Sequence, residues 1–177
     1  RLAGFLDFNY KGSYDMQLVL ESMRDTMTYG GPDDAGFYID KQTGVALGHR
    51  RLSIIDLSNL GHQPMTSEDG NFCITYNGEV YNFREIRQEL EREGFKFKSD
   101  SDTEVVLKAY ERWGMEAIHR FRGMWAFALW DSRTRKLLLS RDRFSEKPLY
   151  YIQDRTGFYF AVVARSERDK LFFVITG

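Results

Sequence analysis

Four short polar clusters in this sequence combine residue types that could do chemistry. The first, residues 49–56, contains Arg51, whose guanidinium can bind a substrate carboxylate through two parallel hydrogen bonds. The second contains Asn77 and Gly78, whose side-chain amide and backbone N–H could stabilise a developing oxyanion. The third contains Asp102, whose carboxylate could bind a substrate ammonium group, and the fourth is the charged segment 140–151.

Each cluster, taken alone, also has a plain structural interpretation that its spacing favours. Arg51 could be a surface arginine beside an edge strand. The dipeptide Asn77-Gly78 between strand-forming segments is typical of a hairpin turn. Asp102 suits the first turn of a helix, where negative charge is favourable. The segment 140–151 could be a solvated hairpin whose ion pairs contribute little stability.

No conventional nucleophile or metal site accompanies these clusters. The one cysteine, Cys73, lies in the apolar segment 72–76, where a cysteine is typically buried and unreactive. The sequence has neither a G-x-S-x-G nucleophile elbow nor a G-x-x-x-x-G-K phosphate loop. The three histidines lack metal-ligand spacing, and a single thiol argues against a zinc site. These histidines are His49, His62 and His119.

The elements that must position these clusters are short and mixed. Period-2 and apolar segments predict strands, and the last four of them form a run that predicts consecutive antiparallel strands. The predicted strands are 3–8, 36–40, 45–48, 72–76, 124–131, 136–141, 149–153 and 157–163. Helices are predicted over 15–27, after Asn82 as N-cap, and after the capping box formed by Ser101 and Glu104. This order predicts an α+β domain, with two sheets face to face and helices outside.

The composition favours one globular cytoplasmic domain. The chain has 177 residues, 25 Lys+Arg against 26 Asp+Glu, and 42% hydrophobic residues. That hydrophobic content excludes a disordered chain, and the net charge of -1 argues against a nucleic-acid partner. No apolar run approaches the roughly 18 residues needed to cross a membrane. A single cysteine allows no internal disulfide, which fits a reducing compartment.

Together and in this order, the clusters resemble the glutaminase domain of glutamine-hydrolysing asparagine synthetases. That domain is a class II glutamine amidotransferase of the N-terminal-nucleophile hydrolase type. The resemblance covers about residues 2–161. The segments that carry it are Arg51-Leu52-Ser53-Ile54, Tyr76-Asn77-Gly78-Glu79-Val80-Tyr81-Asn82, Ser101-Asp102-Thr103-Glu104, Gly123-Met124-Trp125-Ala126-Phe127-Ala128 and Arg141-Asp142-Arg143-Phe144.

The resemblance implies a four-layer α/β/β/α sandwich with two antiparallel sheets, and a site that binds glutamine. Arg51 would hold the α-carboxylate of glutamine. Asp102 and Glu79 would hold its α-ammonium group, with backbone groups of Leu52 and Ile54 nearby. No cofactor is implied for this domain.

The resemblance also implies the reaction, which is hydrolysis of glutamine to glutamate and ammonia. Asn77 and Gly78 would form the oxyanion hole. The nucleophile would be an N-terminal cysteine whose own α-amino group acts as the base. Alignment on Ala3-Gly4-Phe5 places that cysteine immediately before Arg1, outside the sequence given.

Two further departures from the family pattern concern a turn and the C-terminal segment. The family's His-Arg-Gly-Pro-Asp turn reads Tyr29-Gly30-Gly31-Pro32-Asp33 in this chain. Residues 1–164 are expected to be the amidotransferase domain and 165–177 an atypical tail, with the synthetase domain absent. That domain or subunit would receive the ammonia and would use ATP and Mg for an amidation; a homodimer is compatible with the sequence. The alternative is an inactive glutamine-binding or regulatory module that lacks the cysteine.

Overall fold

The computed structural model describes residues 1–52 and 61–162. Within these ranges the strands are β1 (Leu2–Asp7), β2 (Asp34–Asp40), β3 (Val45–Arg51), β4 (Met65–Thr66), β5 (Phe72–Val80), β6 (Gly123–Asp131), β7 (Lys136–Arg141), β8 (Tyr150–Gln153) and β9 (Gly157–Ala161). The α helices are α1 (Met16–Asp25), α2 (Phe83–Arg92), α3 (Asp102–Trp113) and α4 (Glu116–Arg120), and a 3₁₀ turn covers Thr28–Gly30. None of the described helices is long and apolar enough to span a membrane.

The strands form two antiparallel sheets. The first has the order β2-β3-β1-β9-β8, and the second has the order β4-β5-β6-β7. The chain therefore begins in the centre of the first sheet, with β1 between β3 and β9. In the second sheet, β4 is so short that it pairs with only Cys73 and Ile74 of the nine-residue β5.

Period-2 alternation along the long strands explains why the sheets stack. Alternate residues of β6 point to opposite faces of the second sheet. Trp125, Phe127 and Leu129 pack with α2, α3 and α4. Ala126 and Ala128 face the first sheet, where they join a core that includes Leu2. The second sheet thus buries both faces.

The helices cover the outer faces. Helix α1 places Met16 and Leu20 against Phe5 and Ala46 of the first sheet. On the far side, α3 buries its first eight residues, and the apolar ones among them pack against the second sheet. The resulting order is α1, five-stranded sheet, four-stranded sheet, α2 to α4, which confirms the predicted four-layer sandwich.

Two strand-level predictions were wrong. Asn77 and Gly78 form no hairpin turn, because β5 continues to Val80 and pairs these residues with Ala126 and Trp125 of β6. The last four strands are also not one continuous run. Strands β6 and β7 complete the second sheet, whereas β8 and β9 return to the first. Strand propensity alone cannot reveal that crossing, because both sheets present the same alternation.

The helix caps agree with the sequence only in part. The Ser101 hydroxyl accepts a hydrogen bond from the Glu104 N–H at 3.3 Å, as the capping box predicts. The Glu104 carboxylate instead accepts bonds from the N–H groups of Lys98 and Ser99. Asn82 makes no side-chain cap for α2; its side chain bonds to the backbone of residues 120 and 122.

Asp142 connects the end of β7 to the centre of the second sheet. Its carboxylate, 3% exposed, accepts hydrogen bonds from four backbone N–H groups at 3.0 to 3.3 Å. The donors belong to Trp125, Phe144, Glu146 and Lys147. Burial opposes ionisation, but these donors outweigh it, so the pKa of Asp142 lies below its ordinary value.

Replacing Asp142 by Asn is expected to lower the free energy of unfolding by about 2 kcal/mol at pH 7, because bonds to a buried charge are lost. A carboxyl with a lowered folded-state pKa stabilises the fold above pH ~4, and this contribution is lost as the pH falls through the folded pKa. The deficit should therefore shrink below pH ~4 in urea titrations. Asp100→Asn, at an exposed carboxylate, is the matched control and should change stability by less than about 0.5 kcal/mol. Equal losses in both variants would contradict this role.

Candidate active site

A cavity of about 440 Å³ opens where the two sheets meet the first turn of α3. It collects every predicted site residue that lies within the described ranges. These are Arg51, Leu52, Asn77, Gly78, Glu79 and Asp102. Ile54 lies outside the described residues. The first three clusters, separated by about 50 residues in sequence, therefore share one wall in the fold.

The edge of β5 supplies a row of backbone donors to this cavity. Trp125 exchanges hydrogen bonds with Asp142 on the β7 side, so its partner Gly78 is not bonded to β6. The N–H groups of alternate β5 residues then point toward the side where β4 has ended. The N–H of Tyr76 donates to the Gln63 side chain at 2.7 Å, and that of Val80 donates to Asp102 at 3.0 Å. The Gly78 N–H lies between them and faces the cavity.

The Asn77 side chain approaches the same place from the space between the sheets. It shares its face of β5 with Cys73 and Thr75, by the period-2 alternation. Its Nδ2 atom is buried and has no hydrogen-bond partner within residues 1–52 and 61–162. A buried amide donor without a partner is costly, typically about 1–3 kcal/mol. Asn77 and Gly78 thus offer two donors at one corner of the cavity, suited to an oxygen atom.

Gly78 is required by close packing. A Cβ at this position would overlap the carbonyl oxygen of Met124 and lie 2.6 Å from the Cα of Trp125. Any side chain would push β5 away from β6 and move the neighbouring N–H groups. Glycine therefore keeps the Gly78 N–H at the cavity edge.

Asp102 is the buried anion of the cavity. Its Oδ2 accepts hydrogen bonds from the Tyr76 hydroxyl at 2.7 Å and from the Val80 N–H at 3.0 Å. Burial raises the pKa of Asp102 in spite of these bonds, and the nearby Glu79 carboxylate raises it further. Burial and the Asp102 carboxylate, to which its hydroxyl donates, raise the pKa of Tyr76 well above its ordinary value. A cation placed beside Asp102 would relieve this desolvation.

Arg51 brings positive charge to the same cavity. It is the last residue of β3, opposite Asp34 in the β2–β3 register. Its guanidinium packs closely against Gly61. Leu52 follows at the rim and is 54% exposed. The cavity therefore holds a cationic and an anionic group, as the binding of a zwitterionic amino acid requires.

Several cavity residues were not predicted. The Gln63 side-chain amide donates to the Thr103 hydroxyl at 3.3 Å, which connects Gln63 to the first turn of α3. Arg1 lies across Gly30, with Nε 2.6 Å from the position of a Cβ, so the glycine in the altered turn makes room for the Arg1 side chain. His49 and Lys147 complete the lining. The sequence signal for His49 was its place two residues before Arg51.

Cys73 occupies the position predicted for an inert cysteine. It is 1% exposed within the core between the sheets, and burial raises the pKa of its thiol to about 12. A thiol with that pKa supplies almost no thiolate at neutral pH. Among residues 1–52 and 61–162 no group of three or more His, Cys, Asp or Glu side chains could hold a metal ion.

Comparison with known proteins agrees with this arrangement. Residues 2–172 match the family model described as a glutamine amidotransferase domain. Asparagine synthetase [glutamine-hydrolyzing] 1 of Bacillus subtilis is 43% identical over 157 residues, which cover 89% of this chain and 24% of that protein. Asparagine synthetase [glutamine-hydrolyzing] 2 of the same organism is 39% identical, over 93% of this chain and 22% of its own length. The chain thus spans about a quarter of these relatives.

A solved structure shows the same fold at low sequence identity. It is the glutamine phosphoribosylpyrophosphate amidotransferase of B. subtilis, complexed with ADP and GMP. The TM-score is 0.73 at 16% identity, over 90% of this chain and 41% of that one. The family match, the asparagine synthetase relatives and the shared fold lead to one conclusion: this chain belongs to the glutamine amidotransferase domain family.

Proposed function

We propose that this domain hydrolyses glutamine to glutamate and ammonia. The observation that carries the proposal is the unpartnered Asn77 amide beside the Gly78 N–H, in a cavity that also holds Arg51 and Asp102. Arg51 binds the α-carboxylate. Asp102 and Glu79 bind the α-ammonium group, and Leu52 adds backbone contacts. The family resemblance assigns the same role to Ile54, which lies outside the described residues. The carboxamide oxygen then lies against the two oxyanion donors.

The nucleophile in this proposal is a cysteine placed directly before Arg1. The pairing of Leu2 with His49 continues to Arg1, which exchanges backbone hydrogen bonds with Arg50. One residue further, the same register would place that cysteine beside Arg51. By alternation its side chain shares the inner face with Leu2, toward the sheet that carries Asn77. Its α-amino group takes the thiol proton, so that the thiolate can attack the carboxamide carbon.

The reaction then runs in two steps. Formation of the C–S bond moves the carbonyl electron pair onto oxygen, where Asn77 and Gly78 stabilise the charge. Collapse of this intermediate breaks the C–N bond, and nitrogen leaves as ammonia with the proton held by the α-amino group. Water adds to the thioester, the C–S bond breaks, and glutamate and the thiol are released.

In the parent protein the ammonia would pass to an ATP-dependent synthetase domain or subunit. That part would bind ATP and Mg and would activate a carboxylic acid, either aspartate or a sugar acid. This proposal rests on the glutamine-hydrolysing asparagine synthetases among the relatives, which are about four times longer. Three further points stay predictions from the sequence. They are the atypical tail at residues 165–177, a cytoplasmic location and a homodimer.

The first test adds the cysteine. A chain that starts with cysteine before Arg1 is expected to release glutamate and ammonia from glutamine, and to gain one adduct with an electrophilic glutamine analogue in its intact mass. Serine at the same position should abolish both, whereas Cys73→Ala should retain both. Glutamine binding without hydrolysis or adduct would instead support the inactive glutamine-binding module.

Removing the Asn77 donor should slow the chemical step. In the cysteine-containing chain, Asn77→Ala is expected to lower kcat by about 10²–10³ with KM within about threefold, because the donor acts on charge that develops in the transition state. Stability in urea should not fall, since the buried Asn77 Nδ2 atom has no partner to lose among the described residues. Asn9→Ala, in the exposed turn after β1, is the control. A rise in KM alone would refute the oxyanion role.

Asp102→Asn should separate binding from stability. A carboxyl with a raised folded-state pKa disfavours the fold once it ionises, so at pH 7 the variant should be at least as stable as the parent. Glutamine affinity should nevertheless fall about 10- to 100-fold, since a charge-assisted bond to the ammonium group is lost. Glu85→Gln, in the first turn of α2, is the matched control. Unchanged affinity, measured by calorimetry, would mean that the ammonium site lies elsewhere.

A further inference from the structure

The proposed site provides hydrogen bonds to the oxygen of the glutamine carboxamide but none so far to its –NH2 group. Asn77 and Gly78 donate to the carboxamide oxygen, but the –NH2 group needs an acceptor. Arg1, Arg51 and Lys147 carry donors only, and the Gln63 side-chain oxygen already accepts from the Tyr76 N–H. The carboxylates of Glu79 and Asp102 are assigned to the α-ammonium group. An acceptor near the oxyanion donors is therefore the missing element.

His49 lies where such an acceptor is needed. It belongs to β3, is 4% exposed, and reaches across the gap between the sheets to Thr75 of β5. Thr75 precedes Asn77 by two residues on the same face of β5, so His49 is adjacent to the oxyanion donors. The ring contributes to the cavity lining.

The hydrogen bonds around Thr75 assign the tautomer of His49. The Thr75 hydroxyl donates its one hydrogen to the Gly48 carbonyl at 3.2 Å. Its oxygen therefore accepts from the His49 Nδ1–H, at 3.1 Å. Nε2 is then the unprotonated nitrogen, and no described residue bonds to it. Burial and neighbouring positive charges hold the pKa of His49 well below its ordinary value, which keeps the ring neutral.

We propose that His49 is a specificity-determining residue whose Nε2 accepts a hydrogen bond from the –NH2 group of the glutamine carboxamide. The inference rests on the proposed glutamine site and deepens it. Glutamate offers no N–H at this place and would set a carboxylate oxygen against the Nε2 lone pair. The site therefore prefers the amide over the acid, which also favours release of glutamate after hydrolysis.

Two substitutions separate an acceptor role from a merely structural one. His49→Asn keeps an amide near the position of Nδ1, toward Thr75, but removes any acceptor at the position of Nε2. His49→Gln does the reverse, because its longer side chain places an amide oxygen near Nε2. Thr75→Val, which removes the hydroxyl, shows what loss of the bridge between the sheets does alone.

The measurement is calorimetric binding of L-glutamine and L-glutamate to the chain starting at Arg1, so that catalysis is not required. The parent is expected to bind glutamine at least about tenfold more tightly than glutamate. That ratio should fall about tenfold in His49→Asn and should stay within about threefold of the parent in His49→Gln. Thr75→Val, which removes only the acceptor of the Nδ1–H, should lower the ratio by less than His49→Asn does.

The outcomes distinguish this inference from the proposed function. No preference for glutamine in the parent, an unchanged ratio in His49→Asn, or an equal fall in His49→Gln would overturn the role of His49. Each of these results leaves hydrolysis by the cysteine-containing chain unaffected. Conversely, the expected shift in the binding ratio would support His49 even if that chain released no ammonia.

Discussion

The site depends on a mismatch in length between two neighbouring strands. Strand β4 pairs with only Cys73 and Ile74, whereas β5 runs on for six more residues. Backbone N–H groups at a sheet edge must find partners elsewhere. In this edge the Gln63 side chain takes one, Asp102 takes another, and Gly78 between them faces the cavity. A longer β4 would satisfy all three and leave no donor for a ligand.

The same edge explains why the site stores an unfavourable charge. Asp102 has to be ionised to bind an ammonium group, yet burial favours its neutral form. The Tyr76 hydroxyl and the Val80 N–H hold the carboxylate in place but do not offset its desolvation. A bound ammonium group would supply the missing countercharge. Binding and stability therefore place opposite demands on this residue, as is common for functional sites.

Much of the fold could be predicted from local patterns, because alternation in β6 and helical spacing in α3 are strong signals. The pairing of β8 and β9 with the first sheet could not, since nothing local distinguishes the two sheets. The site shows the same limit. Arg51, Asn77 and Asp102 were found by residue type and by family resemblance, whereas His49 and Gln63 act through contacts 26 and 13 residues away in sequence. The turn predicted at Asn77-Gly78 was wrong for a physical reason, because pairing with β6 overrides the turn preference of this dipeptide.

The division of roles between the sheets constrains what the cavity can bind. Arg51 belongs to the first sheet, and Asn77 and Gly78 belong to the second. Stacked sheets lie roughly 10 Å apart, so groups that meet across the gap can contact one small molecule together. The His49–Thr75 bond fixes this distance beside the oxyanion donors. Asp142 in turn anchors Trp125, the partner of Gly78, from the opposite side of β6. The relative position of Arg51, Asn77 and Gly78 is thus set by the packing of two sheets, each held by a buried polar contact.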